Sequence, residues 1–161
     1  KKDVFKHARL YYLMKKNGFP FEFTEEDRED IQESLEEIRG ERKGRTLAAI
    51  HLYMRGLGLR TTVTEEDRKI MEEAVTKEKG YSSIVPEFYL NMVDIGVTGL
   101  VTEEDKKNML EKTRKQFDKS KAENRYIWMA EEYYLLNRLQ QQIKPGNSQI
   151  LAMPPLHRFR G

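Results

Sequence analysis

Thr24-Glu25-Glu26-Asp27-Arg28 returns as Thr64-Glu65-Glu66-Asp67-Arg68 and again as Thr102-Glu103-Glu104-Asp105-Lys106, at intervals of 40 and 38 residues. Self-similarity at that period is the mark of helical-hairpin repeats. The register holds upstream of each copy. Gly18, Gly58 and Gly96 stand six residues before each Thr, and Met14, Met54 and Met92 stand four residues before each Gly. The apolar strings that end in those methionines are Leu10-Tyr11-Tyr12-Leu13-Met14, Ile50-His51-Leu52-Tyr53-Met54 and Phe88-Tyr89-Leu90-Asn91-Met92. A fourth upstream half, Ala130-Glu131-Glu132-Tyr133-Tyr134-Leu135-Leu136, aligns with Ala8–Met14, and no acidic turn follows it.

Each repeat reads as two helices, A then B. Thr is a strong N-cap, and three acidic residues in the first turn complement the positive end of the B-helix dipole. The third helical position is Asp where a capping box carries Glu or Gln, so a cap without the full box is expected. The B helices are one-faced, burying Ile31, Leu35 and Ile38, then Met71, Ala74 and Val75, then Met109, Leu110 and Phe117. The A helices carry five nearly continuous apolar residues and are expected to form an inner layer. Gly18, Gly58 and Gly96 suit the left-handed residue that closes an A helix. Gly40-Glu41-Arg42-Lys43-Gly44 and Asp118-Lys119-Ser120-Lys121 read as B-to-A turns, and Pro86 suits a first helical turn.

Seven helices follow, at about 4–17, 25–39, 46–57, 65–79, 85–96, 103–117 and 122–142. The fold class is all-α, with three and a half hairpin repeats stacked as a short α-solenoid or, alternatively, a compact helical bundle. The helical-repeat domain covers 1–142. Residues 143–161, which contain Pro145, Pro154 and Pro155, read as an extended tail. The tetratricopeptide, pentatricopeptide and HEAT signatures are not met.

The chain has 161 residues, 38% hydrophobic and 35% charged, with a net charge of +2 and no Cys. That supports one folded domain or a short array and removes disulfides, thiolate nucleophiles and Cys-based metal sites. No apolar run is long enough to span a membrane. The start, Lys1-Lys2-Asp3, has no apolar stretch, so no secretion signal is expected and the expected location is cytoplasmic.

Catalytic chemistry finds no foothold in the residue pattern. Adjacent carboxylates in a first helical turn diverge by about 100° and cannot converge on one ion. No Glu-x-x-His pair, calcium loop, Walker pattern or Gly-x-Ser-x-Gly is present. His51 replaces the Tyr of two other repeats and reads as a packing histidine, and the recurring methionines read as core. No metal, no cofactor and no catalytic residues are expected.

Charge is the remaining signal. If stacked hairpins gather the acidic turns at one pole, the B-to-A turns collect a basic pole at the other. Its candidate anion or nucleic-acid contacts are Arg39, Arg42, Lys43, Arg45, Arg114, Lys115, Lys119, Lys121 and Arg125. The tail offers Ile150, Leu151, Met153, Leu156 and Phe159 as partner contacts. The expectation is a non-enzymatic module for protein–protein interaction or self-association, with nucleic-acid binding through the basic turns and tail as the alternative, and no membrane partner.

Overall fold

The computed structural model describes residues 3–143. Among them the chain forms seven helices and no strand: α1 (Val4–Lys16), α2 (Glu25–Gly40), α3 (Gly44–Gly56), α4 (Glu65–Tyr81), α5 (Pro86–Asp94), α6 (Glu103–Ala122) and α7 (Tyr126–Gln141). The A helices are α1, α3, α5 and α7, and the B helices are α2, α4 and α6. The all-α repeat architecture is as expected. Residues 144–161, and with them Ile150, Leu151, Met153, Leu156 and Phe159, lie outside the described residues.

The repeated sequence signals act at the helix ends. Phe19 N donates to Met14 O at 2.9 Å, Leu59 N to Met54 O at 2.8 Å and Val97 N to Met92 O at 2.9 Å. The intervening Gly18, Gly58 and Gly96 take φ of 73°, 77° and 82°. α1, α3 and α5 therefore each end in a Schellman motif, and the constant Met-to-Gly spacing is the spacing of that motif. At the B-helix starts the structure corrects the capping expectation. Asp27 accepts from Thr24 N at 3.0 Å while its own N–H donates to Thr24 Oγ1 at 3.1 Å, and Thr102 and Asp105 repeat the exchange at 3.0 and 3.1 Å. Asp completes the box that its short side chain had argued against.

Two boundaries differ for physical reasons. α6 continues through Asp118–Lys121 to Ala122, because Ser120 is buried on the same face as Thr113 and Phe117. The turn falls at Glu123-Asn124-Arg125, with Asn124 taking the left-handed conformation at φ 56°. α5 has nine residues against thirteen in α1 and α3. Pro86 disfavours helical backbone at Val85, so the first turn that α3 makes from Gly44 is absent in α5.

The chain divides into two compact units. Of the described residues, one holds those up to Lys77 together with Asn91–Thr98, and the other holds Glu78–Leu90 and those from Gly99 to Ile143. In the first, α1 packs on α2 and α3, and α2 packs on α3, around Ile31, Leu35, Leu47, Ile50, Met54 and Met71. In the second, α6 packs on α7, with Phe88, Met109, Phe117, Met129, Leu136 and Leu139 buried. Ile143, the first residue of the segment read as tail, is also buried.

The inner-layer expectation holds for α3 and α5 and fails for α1, where Ala8 alone is buried. Leu10 is 51% and Leu13 40% exposed, whereas their equivalents in α3, Ile50 and Tyr53, are buried. Tyr53 packs on Phe5 and Tyr12 of α1, with ring centroids 5.6 and 5.2 Å apart. The face that α3 turns to the helix before it is the face that α1 leaves open.

One close approach is set by glycine. A Cβ on Gly44 would sit 2.6 Å from Ala74 Cβ and 2.7 Å from Ile70 O of α4, while a Cβ on Gly40 would meet nothing within 4 Å. Gly44→Ala is expected to destabilise the protein by about 1–3 kcal/mol. Gly40→Ala is expected to be neutral or to stabilise by up to about 1 kcal/mol. Thermal melts of the two variants check this, and equal melting temperatures would contradict the packing described.

Candidate functional site

The acidic turns are where the helices are joined, and their Asp is the joint. Asp67, at the third position of α4, is 0% exposed and accepts from four donors. Arg39 Nε reaches Oδ1 at 2.7 Å and Arg39 Nη2 reaches Oδ2 at 2.7 Å. His51 Nε2 reaches Oδ2 at 3.0 Å and the Thr64 amide reaches it at 3.1 Å. One carboxylate thus caps its own helix, takes a bidentate guanidinium from the end of α2 and holds an imidazole from the middle of α3. Buried charge is tolerated only when paired and hydrogen-bonded, and this one is both.

The arrangement recurs with substitutions. Asp105 accepts from the Thr102 amide at 3.0 Å and from Lys79, near the end of α4, at 3.1 Å. Tyr89, the equivalent of His51, is buried beside Lys106 and Glu103, and its phenol is pushed above its ordinary range by that burial. Asp27, in the first repeat, accepts from Tyr11 OH at 3.4 Å.

The electrostatics follow from the geometry. Burial pushes the Asp67 carboxyl up, but the hydrogen bonds from Arg39, the Thr64 amide and His51 outweigh it and hold it below the usual carboxylate value. Burial pushes the His51 imidazole down, with Arg39 and Arg55 adding to that and Asp67 opposing it. His51 is therefore neutral near pH 7. An ionised carboxylate only accepts, so Nε2 carries the proton and Nδ1 accepts from the Thr61 hydroxyl at 2.5 Å. Thr61, His51 and Asp67 have the connectivity of a nucleophile–base–acid triad, but His51 is 0% exposed and both its nitrogens are engaged, which leaves no face for a substrate. The geometry is that of a structural joint.

These contacts correct the two-pole expectation. Arg39 and Arg42 belong to the B-to-A turn of the first repeat, yet they pair with the acidic turn of the second. Arg42 Nη1 reaches Glu66 at 2.6 Å, and its Nη2 reaches Glu73 at 2.6 Å. Opposite charges and opposite helix-dipole ends attract, so the C-terminal end of one B helix lies against the N-terminal start of the next.

Of the other basic candidates, Lys43 and Arg45 belong to the first unit and Arg114, Lys115, Lys119, Lys121 and Arg125 to the second. Lys43 pairs with Glu41, and Arg125 with Glu123 at 2.8 Å. Arg45 is exposed at the start of α3. Lys115 and Lys119 are exposed on α6, while Arg114 and Lys121 are half-buried there. An acidic groove of about 580 Å³, lined in part by Asp30, Glu33, Glu37 and Glu41, runs beside Lys43.

The joint was missed because its members lie 16 and 28 residues apart in sequence, though a signal existed. Tyr11, His51 and Tyr89 each stand 16 residues before the Asp of an acidic turn, and Arg39 and Lys79 each stand 12 residues after one. No family model, curated protein or solved structure matches the chain. Among the described residues no cluster of His, Asp or Glu is placed to hold a metal ion, and no helix is long and apolar enough to cross a membrane.

Because the folded protein holds the His51 pKa below its ordinary value of 6.5, the unfolded chain takes up this proton first. The contribution of neutral His51 to stability is fully present above about pH 6.5 and is lost as pH falls through the depressed folded pKa. Urea unfolding between about pH 7 and 5 is expected to show a slope in the wild type, up to about 1.4 kcal/mol per pH unit, that His51→Gln lacks. Equal slopes would contradict the assignment of a neutral, buried imidazole.

Proposed function

We propose that this protein is a non-enzymatic helical-repeat module that assembles with further copies of itself by continuing its own repeat stack. The observation that carries the reading is exposure, on the first and last helices of the described sequence, of residues whose register equivalents make packing contacts in other helices. Leu10 and Leu13 occupy the register of Ile50 and Tyr53 in α3, where Tyr53 packs on α1, and Ile50, Tyr53 and Phe88, the α5 equivalent of Leu10, are buried. At the other end, Tyr134 is the equivalent of Tyr12, whose ring packs against Tyr53 and Gly56 of the following A helix. Tyr134 has no following helix among the described residues and is 51% exposed. Tyr126, Ile127 and Trp128 in the first turn of α7 are exposed as well.

The open register of α1 and that of α7 are the two sides of the contact that α1 and α3 make within the chain. A second copy supplies the missing side at each end, and the contact is heterologous because different patches meet. The chemistry of the joint supports a scaffold rather than an enzyme, since its titratable groups are consumed in holding helices together.

A second reading, polyanion binding, rests on Lys115 and Lys119, one helical turn apart and exposed on α6. Binding to a single-stranded oligonucleotide with a log–log salt slope near −0.7 per phosphate contact would favour it.

Sedimentation velocity from about 10 µM to 1 mM is expected to show a weight-average mass rising with concentration. Leu13→Glu and Tyr134→Glu are each expected to abolish that rise, and an equimolar mixture of the two variants to recover a dimer and nothing larger. A wild type that stays monomeric throughout, or variants that associate as the wild type does, would contradict the proposal.

A further inference from the structure

The first two repeats differ at one place in both packing and charge. In the second, Gly44 at the start of α3 lies so close to α4 that an added Cβ would sit 2.6 Å from Ala74 Cβ and 2.7 Å from Ile70 O. With the repeats 40 residues apart, the equivalents of Gly44, Ile70 and Ala74 in the first are Val4, Asp30 and Ser34. These three line the groove of about 580 Å³ beside Lys43, where the second repeat is closed.

Ser34 is a polar group that the packing does not satisfy. It is 8% exposed, and its hydroxyl makes no hydrogen bond among the described residues. Thr113 of α6, by contrast, donates to Met109 O, one turn back, at 2.8 Å. The backbone of a mid-helix residue is spent on the helix, so Ser34 meets the groove with its side chain, and its oxygen is not sealed from solvent. A nearly buried hydroxyl thus opens onto the groove with no partner.

The charge of the groove says what kind of partner is missing. Glu33 and Glu37 line it one turn apart on α2, both exposed and neither in an ion pair among the described residues. Like charges at that spacing repel, and Glu37 stands in the last turn of α2, where the helix dipole favours a cation. Their equivalents are Glu73 and Lys77 in the second repeat and Glu111 and Lys115 in the third, so the acidic pair belongs to the first alone. Glu73 is held by Arg42. Elsewhere on the lining, Asp3 pairs with Lys6 and Lys43 with Glu41. The carboxylates do not converge on a point that could hold one metal ion, so the ligand they suit is itself extended.

The geometry points to a binding site for a linear aliphatic polyamine. Four residues of helix advance about 6 Å, a distance that two ammonium groups joined by a short methylene run can span, so one ammonium meets Glu33 and the next Glu37. Ser34 Oγ accepts a further N–H, and the methylenes lie along Val4 and Phe5, half-buried on the α1 side of the groove. The site is independent of association through Leu13 and Tyr134, neither of which lines the groove.

The test is titration of the whole chain with spermidine, n-butylamine, magnesium chloride and an acetylated Lys-Ala-Lys amide, followed by the backbone amide shifts of Val4, Ser34 and Glu37. Saturable shifts with spermidine are expected in the millimolar range or tighter, weakening as salt is raised. The single ammonium of n-butylamine is expected to bind about 10-fold more weakly or worse. Glu33→Gln and Glu37→Gln are each expected to weaken spermidine binding by about 5-fold or more, and Ser34→Ala by about 3-fold or more. Glu29→Gln removes the same charge from α2 outside the groove and is expected to leave the affinity within about 2-fold. The Gln variants relieve repulsion and are expected to melt no lower than the wild type, which separates lost binding from lost fold. Absence of saturable shifts, an equal response to magnesium, unchanged affinity in Ser34→Ala, or equal weakening by Glu29→Gln would overturn the proposal. Tighter binding of the dilysine peptide than of spermidine would assign the groove to a protein segment and overturn it as well.

Discussion

The structure depends on a buried carboxylate that must be answered from three helices at once. Asp67 has no exposure to water, so its charge is tolerable only because the Thr64 amide, the Arg39 guanidinium and the His51 imidazole all converge on it. That requirement fixes the end of α2, the middle of α3 and the start of α4 relative to one another. Asp suits the position because its short side chain reaches back to its own N-cap and still presents oxygens to the neighbouring helices.

The repeat, the helix count and the helix-end chemistry were legible in the sequence because they are local. The Met-to-Gly spacing encodes a Schellman closure, and Thr with three acids encodes a B-helix start. The joint was not legible as such, because counting charges by turn does not say which turn another turn faces. Arg39 and Arg42 count as surplus base at a free pole when charges are summed by turn, yet they are committed to Asp67, Glu66 and Glu73. His51 reads in the sequence as a packing residue, which its burial supports, while its role as donor to Asp67 depends on the fold bringing α3 against α4. The missing first turn of α5 is signalled by Pro86.

Departures from the repeat are confined to particular register positions. On α1 and α7, Leu10, Leu13 and Tyr134 are exposed, whereas Ile50 and Tyr53, the equivalents of the first two in α3, are buried. On α7 a buried carboxylate, Glu132, stands at the register position held by Leu10, Ile50 and Phe88. Local conflict with an otherwise consistent pattern is where functional demands are expected to show.

The most direct test of the joint is a double-mutant cycle on stability with Arg39→Met, Asp67→Asn and the pair, read by urea unfolding at pH 7. The joint requires the two substitutions to be strongly coupled, with an interaction energy of about 2 kcal/mol or more. Effects that add to within about 0.5 kcal/mol would show that the two residues contribute independently and that the helices are held together by something else.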